Sequence, residues 1–119
     1  MGTQPEQLRE RTKAFALRVI RLFRSLPFKP DAQVLGKQLL RSGTSVAANY
    51  RAVCRSRSKA EFVAKIGIVV EEADEAVLWL ELLAESGTVR QEKTNELLAE
   101  ARELTAIFTA SQQTARGRS

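Results

Sequence analysis

The sequence contains no histidine and only one cysteine, Cys54. The absence of histidine excludes a Ser-His-Asp triad, a Cys-His pair and a histidine-ligated metal centre. A single cysteine cannot form an internal disulfide or a thiolate metal cage, and it suits a reducing compartment. These absences narrow the catalytic and metal chemistry open to the chain, and we predict no catalytic residue, no metal site and no cofactor.

Strand and turn formers are also scarce, since the 119 residues include 3 prolines, 6 glycines and 6% aromatic residues. The chain is rich in alanine, leucine, glutamate, arginine and glutamine, which favour helices. No apolar run approaches the roughly 18 residues of a membrane span, and the first residues lack the apolar region of a secretion signal. We expect one soluble, cytoplasmic, all-α domain over residues 1–119 that does not contact membranes.

Start and stop signals divide the chain into four predicted helices. Three capping boxes, in which a Ser or Thr pairs with a Glu or Gln three residues later, mark helix starts. They are Thr3 with Glu6, Ser58 with Glu61, and Thr88 with Gln91. Pro27 and Pro30 interrupt the first helix, Asp31 is the predicted N-cap of the second, and Gly87 closes the third. The predicted helices cover about 4–26, 32–54, 59–86 and 89–112, followed by a basic tail over 113–119.

Each predicted helix carries one apolar stripe at three- and four-residue spacing, such as Leu97, Ala101, Leu104 and Phe108 in the fourth. One stripe per helix predicts a shared core. Because the connections are short, neighbouring helices should run antiparallel. This predicts an up-down-up-down antiparallel four-helix bundle.

Charge differs in sign between the two parts of the chain. Residues 1–65 contain 14 Lys and Arg against 4 Asp and Glu, a net of +10, whereas residues 66–119 contain 5 against 10, a net of −5. The whole chain carries +5, with an isoelectric point near 9.9. The basic part favours a polyanion such as nucleic acid; the alternative is a helical protein whose two parts neutralise each other.

The segment RSGTSVAANYRAV, residues 41–53, combines two arginines with small hydroxylated residues and Gly43. A phosphate-binding loop is one interpretation, but the Walker pattern of Gly-Lys-Ser/Thr after a strand is not met. A helix is the better interpretation, because the hydroxyls can bond to carbonyls one turn earlier. Gly36 and Gly43 would give this helix a small face that permits close approach of a neighbour.

Glu72 and Glu75 lie between apolar residues of the predicted third helix. Such a pair can serve acid–base or metal chemistry, or it can accept hydrogen bonds from Arg41 or Arg51 of the second helix. We favour structural ion pairs among Arg41, Glu72 and Glu75, because a di-metal bundle site ordinarily includes histidine.

Several apolar residues are left without a place in the predicted core. Ile68, Trp79 and Leu82 follow the same line as the two glutamates, and contact between subunits would cover them. Together with Gly36 and Gly43 they form the predicted oligomer interface. The alternative is a set of isolated apolar residues on the surface.

The residues between 38 and 83 resemble the four-helix-bundle family of 23S rRNA intervening-sequence proteins. The matching positions are Gln38, Leu39, Arg41, Ser42, Ser45, Asn49, Ser58, Lys59, Phe62, Glu72, Glu75, Trp79 and Leu80. The first helix fits as well, so the similarity covers about residues 14–86. Arg51 departs from the family pattern, because many members carry Glu at this position, and it adds positive charge.

The resemblance implies a homopentameric ring of four-helix bundles without established enzymatic activity. A related branch comprises the accessory variability determinants of diversity-generating retroelements, small basic pentamers that bind nucleic acid and a reverse transcriptase. We therefore predict a non-enzymatic oligomeric scaffold that binds RNA or DNA backbone, with an adaptor for a reverse transcriptase as the alternative. The predicted nucleic-acid-binding residues are Arg11, Arg18, Arg21, Lys37, Arg41, Arg51, Arg55, Arg57 and Lys59.

Overall fold

Four helices make up almost all of the computed structural model, which describes residues 2–117. They are α1 (Gln4–Arg24), α2 (Pro30–Val53), α3 (Lys59–Glu85) and α4 (Asn95–Gly117), with a short 3-10 helix at Gln91–Lys93 before α4. No strand occurs within residues 2–117, so the described fold is all-α. Among the same residues, no helix has the length and apolar character needed to cross a bilayer.

Side-chain caps start two of the helices where the sequence predicts them. The Thr3 hydroxyl accepts a hydrogen bond from the Glu6 amide at 3.3 Å, and the Ser58 hydroxyl accepts one from the Glu61 amide at 3.0 Å. Each bond satisfies an amide that has no partner inside its helix. Gly87 follows α3 with a φ of +78°, a left-handed conformation that glycine adopts without a Cβ clash.

The start of α2 differs from the prediction by two residues. Pro30 is the first helical residue, and Lys29, not Asp31, occupies the N-cap position. Proline is tolerated there because its missing amide would have no helical partner. Asp31 lies in the first turn, where its Oδ1 accepts from the Ala32 amide at 2.9 Å and its charge complements the helix dipole.

The predicted limits of α4 are wrong at both ends. The Thr88 hydroxyl lies 2.7 Å from that of Ser86, so it belongs to the preceding turn and does not cap a helix. The helix starts only at Asn95, after the buried Thr94, whose carbonyl accepts from the Leu98 amide at 2.8 Å. It continues to Gly117, so residues 113–117 of the predicted basic tail are helical. The rest of that tail, Arg118 and Ser119, lies outside the described residues.

The core forms where the apolar stripes of the four helices meet. α2 packs against α1 and α3, and α3 packs against α4, while α1 and α4 make fewer contacts. The largest side chains that are less than 2% exposed include Phe15, Leu39, Leu80 and Phe108. The stripes that hydrophobic spacing predicts are therefore the ones that leave water.

Gly36 and Gly43 lie on the face of α2 that packs against α1. A Cβ added to Gly43 would lie 2.9 Å from Val19 Cγ2, and one added to Gly36 would lie 3.0 Å from Phe23 Cδ1. Both positions are buried within the chain. The structure therefore assigns these two glycines to helix packing inside the chain, in place of the predicted contact between subunits.

Residues 41–53 are helical throughout, and the segment forms no phosphate-binding loop. The Ser42 hydroxyl donates to the Leu39 carbonyl at 3.3 Å, and the Thr44 hydroxyl donates to the Leu40 carbonyl at 2.8 Å. These bonds to the preceding turn keep small hydroxylated residues inside a helix.

Candidate functional site

Arg11 connects α1 to α4 through carboxylates. Its Nε and Nη2 donate to the two carboxylate oxygens of Glu100 at 3.1 and 2.6 Å, and Glu103 Oε1 lies 3.2 Å from the same Nη2. The hydrogen bond that Arg11 donates to the Glu100 carboxylate raises the pKa of Arg11. Because Glu100 and Glu103 already accept from this guanidinium group, fewer of its donors remain free for a ligand.

Arg41 is held in a similar way by α3. Its Nη2 donates to Glu75 Oε1 at 2.8 Å, and its Nη1 to Glu72 Oε2 at 3.4 Å. The Glu72 side chain is only 13% exposed, so the guanidinium group compensates a largely buried carboxylate. No cluster of three or more potential metal ligands occurs among residues 2–117.

Arg18 and Arg21 lie in a cleft of mixed charge at the contact between α1 and the start of α4. The cleft has a volume of about 360 Å³ and also contains Glu92, Lys93 and Glu96. Arg18 Nη2 lies 4.0 Å from Glu96 Oε2, which is 94% exposed. Nearby carboxylates reduce the attraction of this surface for an anion.

A second cleft lies between the start of α1 and the end of α2, and it is richer in positive charge. Its volume is about 530 Å³. We call it the basic cleft; its lining residues are Glu6, Arg9, Glu10, Lys13, Arg51, Cys54 and Arg55. Four cations and two carboxylates give it a net charge of +2.

Helix geometry places these cations together. Arg9 and Lys13 are four residues apart on α1 and so lie on one helix face. Arg51 lies in the last turn of α2, and Arg55 follows in the turn after its end, where it lines the same cleft. Ion pairs within 4.0 Å occur elsewhere among residues 2–117, but none involves these four cations. Their donors are available to a ligand.

The basic cleft contains two of the predicted nucleic-acid-binding residues, Arg51 and Arg55, and two that the prediction lacks. Arg9 and Lys13 could have been found from their four-residue spacing off the core stripe of α1. Their meeting with Arg51 depends on how α1 packs against α2, which one helix alone does not reveal.

The remaining predicted residues are dispersed. Lys37 is exposed near the start of α2, fourteen residues or about 21 Å along the helix from Arg51. Arg57 and Lys59 are exposed beyond the end of α2. Lys59 lines a separate shallow groove with Arg116 of α4. The nine predicted cations therefore do not form one continuous surface.

The apolar residues of the predicted oligomer interface lie on the outer side of α3. Ile68 is 46% exposed and Leu82 is 38% exposed. Trp79 is partly buried, and its Nε1 has no hydrogen-bond partner among residues 2–117. Buried donors in proteins usually have a hydrogen-bond partner, so this indole N–H is an exception.

Tyr50 and Cys54 lie one helical turn apart beside the basic cleft. Burial raises the pKa of Tyr50 to about 12, the Cys54 thiol acts in the same direction, and Arg9 opposes both. The Tyr50 ring packs against Phe108 with centroids 5.1 Å apart. The phenol is therefore neutral at physiological pH, and its neighbour Cys54 is exposed.

This geometry defines a class of protein: an all-α chain of four helices with a basic cleft between the first two. The family model for the 23S rRNA-intervening sequence protein matches residues 6–110. The chain therefore belongs to this family, as its resemblance at residues 38–83 predicts.

One similar solved structure comes from Bacteroides thetaiotaomicron, and it is described as a protein of unknown function from the S23 ribosomal protein family. The two chains are 30% identical, with a TM-score of 0.82, over 89% of this chain and 98% of the other. No curated protein matches this chain significantly. The comparisons establish the family and support the fold.

Proposed function

We propose that this protein is a non-enzymatic scaffold that binds the phosphate backbone of RNA or DNA through the basic cleft. One observation carries the proposal: Arg9, Lys13, Arg51 and Arg55 line one concave surface without an ion-pair partner within 4.0 Å among residues 2–117. Guanidinium groups donate paired hydrogen bonds to phosphate oxygens, and such contacts position a strand without reading its sequence.

We also propose that the helices alternate in direction. Gly36 lies near Leu26 and Gly43 near Val19, so residue numbers rise along α2 as they fall along α1. Between α3 and α4, Gly67 lies near Gln112, whereas Glu81 accepts a hydrogen bond from Arg102 at 2.8 Å. Both sets of contacts support an up-down-up-down bundle.

Assembly into a homopentameric ring is part of the same proposal. The exposed Ile68 and Leu82, with the half-buried Trp79 between them, offer an apolar strip on α3 that contact between copies would cover. A ring would repeat the basic cleft around one particle. Repetition raises the avidity for a long polyanion without adding a new type of contact.

A protein partner is the second candidate, because Glu6 and Glu10 line the basic cleft beside its cations. A surface with both signs of charge also suits a protein, such as the reverse transcriptase of a diversity-generating retroelement. In that case the protein would act as an adaptor, and its complex would need the two carboxylates as well as the arginines.

The experiment combines fluorescence anisotropy and light scattering on a single-stranded RNA, at about 50 mM and about 200 mM salt. If all four cations neutralise a phosphate, affinity should fall roughly 50-fold over this range, since each contact contributes a slope of about −0.7. Light scattering should give a particle of five chains that gains mass with RNA at low salt only. Binding that is absent or insensitive to salt would contradict the backbone proposal, and a monomer would contradict the ring.

A further inference from the structure

A second concavity adjoins the basic cleft on the other side of Cys54. Its volume is about 310 Å³. We call it the apolar pocket; its lining residues include Pro5, Tyr50, Val53, Cys54, Ser56 and Phe62. Cys54 lines both concavities. Of two adjacent residues on α1, Pro5 lines the apolar pocket and Glu6 lines the basic cleft. A ligand that fills both needs one anionic part and one apolar part, joined over a short distance.

The apolar pocket contains one polar atom that is already desolvated. Ser56 Oγ is buried and has no hydrogen-bond partner among residues 2–117. Because this oxygen is closed off from solvent, a ligand reaches it only when the Ser56 side chain turns toward the pocket, and the hydroxyl then gains the partner that it lacks. The wall beside it includes the partly exposed ring of Phe62 and the edge of the buried Tyr50.

We infer that the apolar pocket receives the base of an unpaired nucleotide whose phosphate lies in the basic cleft. A nucleotide joins an anionic phosphate to a flat, largely apolar base with hydrogen-bonding edges, which matches the two concavities and Ser56 Oγ. In a duplex the bases are stacked inside the helix, so the ligand class is a single strand, a loop or a bulge. The inference rests on the proposed function, because the basic cleft must hold the phosphate.

The first test compares two single-stranded oligonucleotides of equal length and charge, one with bases and one abasic throughout. Both should bind in a salt-dependent way, and the strand with bases should bind about 10-fold more tightly, as stacking and base contacts typically provide. Equal affinities would overturn the inference while leaving the proposed function intact. Failure of both strands to bind would overturn both.

A variant links this difference to the apolar pocket. Ser56→Ala removes the unpartnered hydroxyl, so it should not cost stability in the free protein. It should weaken the strand with bases about 3- to 10-fold and leave the abasic strand unchanged. A strand-independent effect, or none on either strand, would count against a base beside Ser56.

Photocrosslinking then locates the base without altering the protein. A strand carrying 5-iodouridine should form adducts with Tyr50, the only tyrosine, or with Phe62. Adducts at the only tryptophan, Trp79, in the absence of adducts at these residues would overturn the location. A free mononucleotide that competes at the same concentration as the strand would show that the site takes small nucleotides, and would overturn the assignment to a strand.

Discussion

Arg41 and Arg51 lie ten residues apart on α2, about 15 Å along the helix, but their surroundings differ. Arg41 donates to Glu72 and Glu75 of α3, whereas Arg51 lines a cleft with Arg9 and Lys13 of α1. The helix opposite each arginine determines whether its guanidinium group is paired with carboxylates or left available to a ligand. α3 supplies carboxylates within hydrogen-bonding distance of Arg41, whereas the start of α1 supplies two cations and two carboxylates, neither of which lies within 4.0 Å of Arg51. The position of an arginine on its own helix therefore does not tell whether its charge is available to a ligand.

The largest expected effect comes from reversing charge inside the basic cleft. Arg51→Glu with Arg55→Glu should weaken single-stranded RNA binding roughly 100-fold at low salt, because two favourable phosphate contacts become repulsive. Fluorescence anisotropy measures the change. Arg24→Glu with Lys29→Glu is the matched control, since it alters the net charge equally at exposed positions of the α1–α2 connection. Equal losses in both variants would mean that net charge matters and the cleft does not.

The second effect concerns stability and involves Arg11, which is paired with carboxylates of α4. Arg11→Gln should lower the free energy of unfolding by about 1–2 kcal/mol, because it breaks the paired hydrogen bonds between α1 and α4. RNA affinity should change less than about twofold. Urea denaturation provides the measurement. Arg9→Gln, two residues away, should weaken RNA binding and cost little stability. If the two variants behaved alike, the distinction between paired arginines and basic-cleft arginines would be wrong.

Neutralising a carboxylate inside the basic cleft should strengthen binding. Glu10→Gln removes a negative charge from a surface that holds phosphate, so RNA affinity should rise about 2- to 5-fold at low salt, and less at high salt. An adaptor that uses Glu10 to contact a protein predicts a weaker partner complex instead. Titrations of the variant with RNA separate the two, and a lower RNA affinity would contradict the proposed phosphate contact.

The smallest effect is expected at Arg41. Its side chain is 54% exposed, its short bond is to the half-exposed Glu75, and its contact with the largely buried Glu72 is long at 3.4 Å, so the pair contributes little. Arg41→Gln should cost less than about 1 kcal/mol in the free energy of unfolding and should leave RNA affinity unchanged. A strong loss of binding, measured by anisotropy under the same conditions, would show that Arg41 leaves its carboxylates to bind RNA.

Local signals predicted most of the helical structure. Thr3 and Ser58 cap α1 and α3 because their hydroxyls reach amides three residues later, a relation contained within one segment. Thr88 with Gln91 fits the same pattern, but the Thr88 hydroxyl is hydrogen-bonded to that of Ser86, and α4 starts only at Asn95. A capping pattern thus loses to a competing hydrogen bond in the preceding turn.

The candidate site was less predictable, since it depends on contacts between helices. From the sequence alone, Arg11 and Arg51 are equivalent cations off the core stripes. Glu100, which accepts the hydrogen bonds of Arg11, is 89 residues away along the chain. Arg9 and Lys13 become part of the site only because the start of α1 packs beside the end of α2. The register between helices, which sequence spacing does not give, determines which cations converge.

The salt dependence of RNA binding tests the role of the basic cleft most directly. Anisotropy titrations across a range of salt concentrations give the slope of log affinity against log salt for the wild type, for Arg9→Gln with Arg51→Gln, and for Arg11→Gln with Arg41→Gln. We predict that the cleft variant has a slope shallower by about 1.4, two single-strand phosphate contacts, while the variant of the paired arginines keeps the wild-type slope. Equal slopes for all three proteins, or a shallower slope only when Arg11 and Arg41 are replaced, would contradict the proposed role of the basic cleft.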